Sequence, residues 1–179
     1  MVIRITYHQH AKCEYFPSSR GKAPSPTQDV GDMQNSFIAD STLLQALERC
    51  SVPLLCWNGL FLFRQGEAPT GIYIIRSGTA SLLMKTDIGE EVLDFRVGAG
   101  SILGLPGAVS KEPYSLSGMA CAGSEVSFVE LAAFEKLMAE HPSLFPKVLE
   151  VLAAEVRSAR NALTDILGRL ASRPSRVLS

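Results

Sequence analysis

The sequence predicts a mainly β protein with helices. An antiparallel double-stranded β-helix (a jelly roll or β-roll) is followed by a short helix and a long dimerisation helix. Three observations lead to this fold class. Short apolar segments alternate with turn signals over about 80 residues from position 52, which suits seven or eight strands. After residue 130 the hydrophobic period becomes helical, and a strict 3.5-residue repeat follows.

Composition sets the broad class. The chain has 179 residues, of which 46% are hydrophobic and 20% charged, as in one globular domain with a core. A net charge of -1 gives no sign of a nucleic-acid or anionic-membrane partner. No apolar run approaches the ~18 residues needed to span a bilayer, and the N-terminus lacks the apolar stretch of a signal peptide. We therefore expect a cytoplasmic protein.

The chain divides into four predicted segments. Residues 1–35 form a flexible leader, because proline, serine, glycine and charge dominate and no hydrophobic period survives. Residues 36–141 form the β-roll, residues 142–172 the long dimerisation helix and residues 173–179 a tail.

The predicted roll opens with a short helix that runs from Asp40 or Ser41 to about Arg49. Both residues are good N-caps, and leucines at 43, 44 and 47 form one apolar face. The strands that follow are five to eight residues long and are separated by Gly, Asn-Gly and Asp-x-Gly signals. That number of short strands favours a closed barrel or jelly roll over an open sheet.

Two helices are predicted after the roll. The segment LAAFEKLMAEH is amphipathic, with Phe134, Leu137 and Met138 on one side. Pro142 and Pro146 then allow a new helix to start, because proline is tolerated in a first turn.

The long helix carries eight apolar residues whose spacing alternates between four and three, the seam of a coiled coil. They are Phe145, Leu149, Leu152, Val156, Ala159, Leu163, Ile166 and Leu170. About 27 residues give roughly 40 Å of helix, longer than a roll this size can cover, so we expect a homodimer. The alternative is a helix that lies wholly on its own roll. Residues predicted to face water or steer pairing are Glu155, Arg157, Arg160, Asn161, Asp165 and Arg169.

This layout resembles the Crp-Fnr family of bacterial regulators over about residues 40–172. The segment LFRQGEAPTGIYIIRSGTASLL is similar to the family's opening roll motif. The matching residues are Phe63, Gly66, Glu67, Gly71, Tyr73, Ile75 and Gly78. GAGSILGLPGAVSKEPYSLSGMA resembles the family's phosphate-binding cassette, and HPSLFPKVLEVLAAEV resembles the start of its dimer helix.

The resemblance implies a cyclic-nucleotide site, but the cassette departs from the family pattern. Gly104 fits its first glycine and Ser115 its hydroxyl residue. Leu105 stands where the family has an acid for the ribose, and Tyr114 where it has an arginine for the phosphate. Pro106 removes one backbone donor from the cradle. The predicted ligand pocket is this degenerate cassette: Gly104, Leu105, Pro106, Gly107, Tyr114 and Ser115.

We therefore predict no cofactor and no cyclic AMP, although binding of a cyclic nucleotide stays open, with Lys111 and Glu112 as substitute charges. The family implies a dimeric sensor domain of a transcription regulator, with a possible small-molecule effector. The alternative is a ligand-independent dimerisation or interaction module. Family members continue into a helix-turn-helix, whereas this chain stops at LASRPSRVLS, so it alone is not expected to recognise a DNA sequence.

Enzymatic and metal sites are not expected. Metal-dependent β-roll enzymes need two or three histidines inside the barrel, but His8, His10 and His141 lie outside the predicted strands. The spacing of Cys13, Cys50, Cys56 and Cys121 matches no zinc or disulfide framework. The last three only faintly resemble an iron–sulfur pattern, and reduced structural cysteines are the default. We predict no catalytic residue, no metal and no membrane contact.

Overall fold

The computed structural model describes residues 38–88 and 91–171, so the predicted leader and tail lie outside the described residues. These ranges contain four α-helices, eight strands and one 3-10 turn. In chain order they are α1 Ser41–Glu48, β1 Val52–Cys56, β2 Leu60–Phe63, β3 Gly71–Ser77, β4 Thr79–Lys85, β5 Glu91–Gly98, β6 Ile102–Leu103, α2 Leu105–Ser110, β7 Ser117–Ala120, β8 Ser124–Glu130, α3 Leu131–Glu140, the 3-10 turn Pro142–Leu144 and α4 Phe145–Ala171.

Helix α1 confirms the predicted N-cap. The Asp40 carboxylate accepts a hydrogen bond of 2.8 Å from the backbone N–H of Thr42, which satisfies one of the free donors of the first turn. Asp40 also lies 3.0 Å from Nζ of Lys147 on α4, and this contact lowers its pKa. The cap therefore ties the first helix to the last one.

The strands form two antiparallel sheets of four. One sheet has the order β1-β8-β3-β6 and the other β2-β7-β4-β5, so the first strand pairs with the last and the second with the second last. Their facing sides enclose a core that includes Phe63, Leu82, Phe95 and Val126. This is the predicted β-roll, in which alternate residues of each strand point into the space between the sheets.

The sheet that contains β3 is buried on both faces. Tyr73 and Ile75 face the core between the sheets, whereas Ile72 and Ile74 pack against the helices. The second core cluster joins α1, α3 and the first turns of α4 to this outer face. Its helical members include Phe134 of α3, as the amphipathic pattern predicted.

Helix α4 starts on the helical layer and ends over the roll. Val148 and Val151 belong to the outer cluster, whereas Ala162 belongs to the core between the sheets. The two prolines take the predicted places: Pro142 opens the 3-10 turn, and Pro146 stands in the first turn of α4. No helix in the described part of the chain is both long and apolar enough to cross a membrane.

Part of the predicted seam stays exposed. We call the exposed residues Phe145, Leu149, Val156 and Leu163 the apolar stripe of α4. Leu152 is half-buried and Ala159 is exposed. For Ile166 and Leu170 the structure describes the helical backbone but not the side chains. The helix therefore does not bury its whole seam on its own roll.

Candidate functional site

The cassette forms a short helix, α2, at one end of the roll. Gly104 precedes it with a φ of +80°, a left-handed conformation that suits glycine. Leu105 is fully buried on the opposite side, in the cluster with α1 and α3. It was predicted as a pocket residue but does not line the pocket beside the cassette, whereas Gly104, Pro106, Gly107, Tyr114 and Ser115 line it together.

Tyr114 closes the cassette from within. Its hydroxyl donates a 2.7 Å hydrogen bond to the carbonyl of Gly71 and accepts from the N–H groups of Thr70 (3.1 Å) and Gly71 (3.3 Å). The ring is 3% exposed, and its centroid lies 4.4 Å from that of Phe63. Both ends of the side chain are therefore held, the hydroxyl by backbone and the ring by an aromatic contact.

The Tyr114 ring also covers the cassette glycines. A Cβ placed on Gly104 would lie 3.1 Å from Cε1 of Tyr114, and one on Gly107 would lie 3.0 Å from Cδ1. The space left beside the cassette, which we call the cassette pocket, measures only about 50 Å³. Tyr114, the side chain at the family's arginine position, thus occupies the cradle and forms one wall of the small space that remains.

The two charged residues considered as substitutes point elsewhere. Lys111 pairs with Glu135 of α3, and Glu112 is exposed. Neither lines the cassette pocket, so both hypotheses are wrong for this structure. The reason is local: Lys111 ends α2 in a left-handed conformation with a φ of 67°, and residues 111–113 are exposed.

A larger cavity lies between α4 and the sheet that contains β4 and β5. We call it the helix cavity, and its volume is about 410 Å³. Most of its lining is apolar, with three polar side chains, Ser115, Glu155 and Ser158. It is lined by Met84, Leu93, Phe95, Pro106, Ser115, Leu116, Leu152, Glu155, Val156, Ser158, Ala159, Ala162 and Leu163.

The expectation that Glu155 faces water is wrong. The residue is half-buried and lines both the helix cavity and the cassette pocket, and burial raises its pKa to about 8. Ser158, one turn further on, is 2% exposed, and its hydroxyl has no hydrogen-bond partner among the described residues. Exposed Arg157, Arg160 and Asn161 behave as predicted, and the side chains of Asp165 and Arg169 lie outside the described residues.

A second repeat in α4 could have revealed this face. The roll-facing positions of α4 are spaced by three, four, three and four residues, with the same period as the seam. They are Val148, Val151, Glu155, Ser158 and Ala162. A helix with two such faces packs on both sides, and the sequence analysis followed only the more apolar one.

In the described part of the chain the cysteines and histidines form no metal centre. Cys50, Cys56 and Cys121 are free thiols, and burial raises the pKa of Cys50 and Cys56. No group of three or more His, Cys, Asp or Glu within residues 38–88 and 91–171 could hold a metal ion. His8, His10 and Cys13 lie outside the described residues.

Comparisons with known proteins fit this geometry. Residues 58–141 match the model of the cyclic nucleotide-binding domain. The chain is 28% identical over 100 residues to the transcriptional activator protein Anr of Pseudomonas protegens, which is 56% of this chain and 41% of that protein. The match thus spans less than half of that relative.

Solved structures show the same fold. The catabolite activator protein of Thermus thermophilus superposes with a TM-score of 0.61 at 21% identity, over 72% of this chain and 60% of that one. The regulator CLP of Xanthomonas campestris superposes with a TM-score of 0.62 at 17% identity, over 75% and 66%. The β-roll with its long helix is therefore shared with both. Residues 58–141 thus match the cyclic nucleotide-binding domain, and the chain has homologues among the Crp-Fnr regulators.

Proposed function

We propose that this chain is the sensor or regulatory domain of a Crp-Fnr-type transcription regulator, that it dimerises through α4, and that it does not bind cyclic nucleotides. The observation that carries the proposal is Tyr114, whose ring fills the cassette and whose hydroxyl is committed to the backbone of Gly71. The homologues are transcription regulators and not enzymes, which agrees with the expected lack of catalytic residues.

Electrostatics support the exclusion of cyclic nucleotides. No lysine, arginine or histidine lines the cassette pocket among the described residues, and its one acid is Glu155. A phosphate placed there would lack a charge-assisted contact that contributes about 1.5–3 kcal/mol, or one to two decades of affinity. It would also have to displace the Tyr114 ring from its contact with Phe63.

The dimer rests on the apolar stripe. Leu149 is 62% exposed and Leu163 56% exposed, at positions that continue a 3.5-residue repeat. Apolar side chains repeated along one face of a helix gain stability when a second helix removes them from water. The partner proposed for this face is a second copy of the chain.

The ligand proposal is tested by calorimetric titration of the full chain with cyclic AMP and cyclic GMP. We expect no binding at millimolar concentration and no change in Tm, because a bound ligand at about 100 times its Kd would add about 2.7 kcal/mol. Saturable binding at micromolar concentration of either nucleotide would contradict the proposal.

The dimer is tested by sedimentation of three proteins. The full chain is expected to be a dimer, and Leu149→Asp combined with Val156→Asp is expected to be a folded monomer, as judged by circular dichroism. Ala153→Asp is the matched control, since residue 153 is exposed on α4 but outside the seam. A monomeric full chain, or a double variant that remains a dimer, would refute the interface.

A ligand-independent dimerisation module is the second candidate function. The apolar stripe favours it, because the stripe needs a partner whether or not a ligand is bound. The helix cavity distinguishes the two candidate functions. A sensor domain needs a cavity for its effector, whereas a ligand-independent dimerisation module has no use for one.

A further inference from the structure

The helix cavity carries a polar arrangement that the surrounding protein does not satisfy. Glu155 and Ser158 are three residues apart on α4, so their side chains stand on one face of the helix. Ser158 is almost fully buried, and its hydroxyl has no hydrogen-bond partner among the described residues, which is unfavourable for a buried polar group. Both residues line a cavity whose other walls are mainly apolar.

The charge of the lining selects among ligands. The carboxyl of Glu155 is the one acidic group on the cavity wall, and no described lysine, arginine or histidine accompanies it. An anionic ligand would find no counter-charge and would approach a carboxyl group. A cation would pair with the carboxylate, and the Ser158 hydroxyl could accept a hydrogen bond from its N–H groups.

The size and walls define the rest of the ligand. A volume of about 410 Å³ falls within the range of roughly 300–1,000 Å³ that small-molecule sites have. Met84 and Phe95 offer a thioether and an aromatic ring, which suit a hydrocarbon or aromatic body and also stabilise a cation.

We propose that the helix cavity binds a small organic ammonium ion with an apolar body, whose charged group is held by Glu155 and Ser158. This inference rests on the proposed function, because it names the chemical class of the effector of that regulatory domain. It differs from a nucleotide in charge as well as in size.

Proton linkage distinguishes this ligand class from a neutral one. At pH 7 the free Glu155 carboxyl is mostly protonated, because its pKa is about 8. Pairing with an ammonium ion requires the carboxylate, so binding releases about one proton into the solvent. Among the described residues that line the helix cavity or the cassette pocket, the other titratable group is Tyr114, and its hydroxyl is bonded to Gly71. Neither space is lined by Lys85, Asp94 or Arg96 on β4 and β5, nor by Arg157 or Arg160 on α4.

The experiment is a calorimetric titration of the full chain with 2-phenylethylamine and with its neutral counterpart 2-phenylethanol. Titrations in phosphate and in Tris measure the released proton from the difference in heat. We expect the amine to bind more tightly than the alcohol and to gain up to about tenfold in affinity from pH 6 to pH 7. The alcohol should show no such gain.

Two glutamine substitutions on α4 provide the matched pair. Glu155→Gln keeps the size of a side chain that is mostly neutral at pH 7, and should weaken amine binding by about tenfold or more and abolish proton release. Glu150→Gln alters an exposed glutamate on the same helix and should leave the amine affinity and the proton release unchanged. Thermal unfolding verifies that each variant is folded.

Three outcomes overturn the proposal: no saturable amine binding at millimolar concentration, an affinity that Glu155→Gln does not change, or tighter binding of the alcohol. If Glu155→Gln does not fold, the pH dependence of the unmodified chain decides alone. Cyclic AMP in the same instrument tests the proposed function separately, since its binding would refute that function without any bearing on the amine.

Discussion

The cassette pocket and the helix cavity lie side by side but differ in how their polar groups are satisfied. In the cassette pocket the Tyr114 hydroxyl makes three hydrogen bonds to backbone, and about 50 Å³ remains. In the helix cavity about 410 Å³ is open, the Ser158 hydroxyl has no partner among the described residues, and Glu155 has a pKa of about 8. One region has the features of a finished core, and the other has the features of a binding site.

The two spaces share a wall, made of Pro106, Ser115, Leu116 and Glu155. Tyr114 lines the cassette pocket but not the helix cavity. Where the resemblance would place an arginine to hold an anion, the tyrosine ring removes the anion's space and leaves a carboxyl as the acidic group of the remaining room. The two spaces therefore differ in size, about 50 Å³ against about 410 Å³, while Glu155 is the acidic residue that lines both.

The largest expected effect comes from removal of the Tyr114 ring. Tyr114→Ala should lower the free energy of unfolding by about 3–5 kcal/mol, because it deletes a buried aromatic side chain that packs on Phe63. Urea unfolding measures the change. The control, Trp57→Ala, removes an aromatic residue that is 76% exposed, and should stay within about 0.5 kcal/mol. Equal losses in the two variants would mean that the ring does not stabilise the cassette.

Loss of the hydroxyl alone should have a smaller effect. Tyr114→Phe keeps the ring but leaves the carbonyl of Gly71 without this hydrogen bond, at a cost of about 1–3 kcal/mol in the free energy of unfolding. The same urea experiment measures it, and amide exchange at Thr70 and Gly71 should quicken. An unchanged unfolding midpoint would show that the hydroxyl contributes nothing to the closed cassette.

Glu155 should impose a pH dependence on stability. Its folded pKa of about 8 is above the usual value of 4.5, so the folded state holds the proton more tightly. The stabilisation from this group is full below pH 4.5 and is lost as the pH rises towards 8, by at most about 1.4 kcal/mol per pH unit. Unfolding of the unmodified chain and of Glu155→Gln at pH 6 and pH 7 isolates the effect, because other groups cancel. Parallel curves would exclude a raised pKa.

The smallest effect is expected at Ser158. Ser158→Ala removes a hydroxyl that has no partner in the described part of the chain, so the free energy of unfolding should change by less than about 1 kcal/mol or rise slightly. Ser124→Ala is the contrasting control, since the buried Ser124 hydroxyl donates 2.8 Å to the carbonyl of Thr79 and accepts 3.0 Å from its N–H. If Ser158→Ala proves as destabilising as Ser124→Ala, the hydroxyl of Ser158 is already satisfied.

Local patterns in the sequence predicted the fold well, but not the division of the pocket. The cap at Asp40, the prolines at 142 and 146, and the strand alternation depend on neighbouring residues, and all were predicted. The position of the Tyr114 ring depends on Gly71, 43 residues away, and no local pattern contains that contact. Glu155 was assigned to solvent because charge is normally exposed, although the repeat on its side of α4 predicts a buried face.

The order of strands also has a consequence for synthesis. Val52 of β1 pairs with Phe128 of β8, and Leu60 of β2 pairs with Ala120 of β7, so the roll closes as nested loops with the first strand paired to the last. On a ribosome that adds about 5–20 residues per second, β1 waits several seconds before its partner emerges. During that interval the backbone of β1 lacks its native hydrogen bonds to β8. Closing the long loop between β1 and β8 also makes folding slow relative to helical proteins. The step that completes both sheets is therefore the arrival of residues 117–130, and not the formation of any early hairpin.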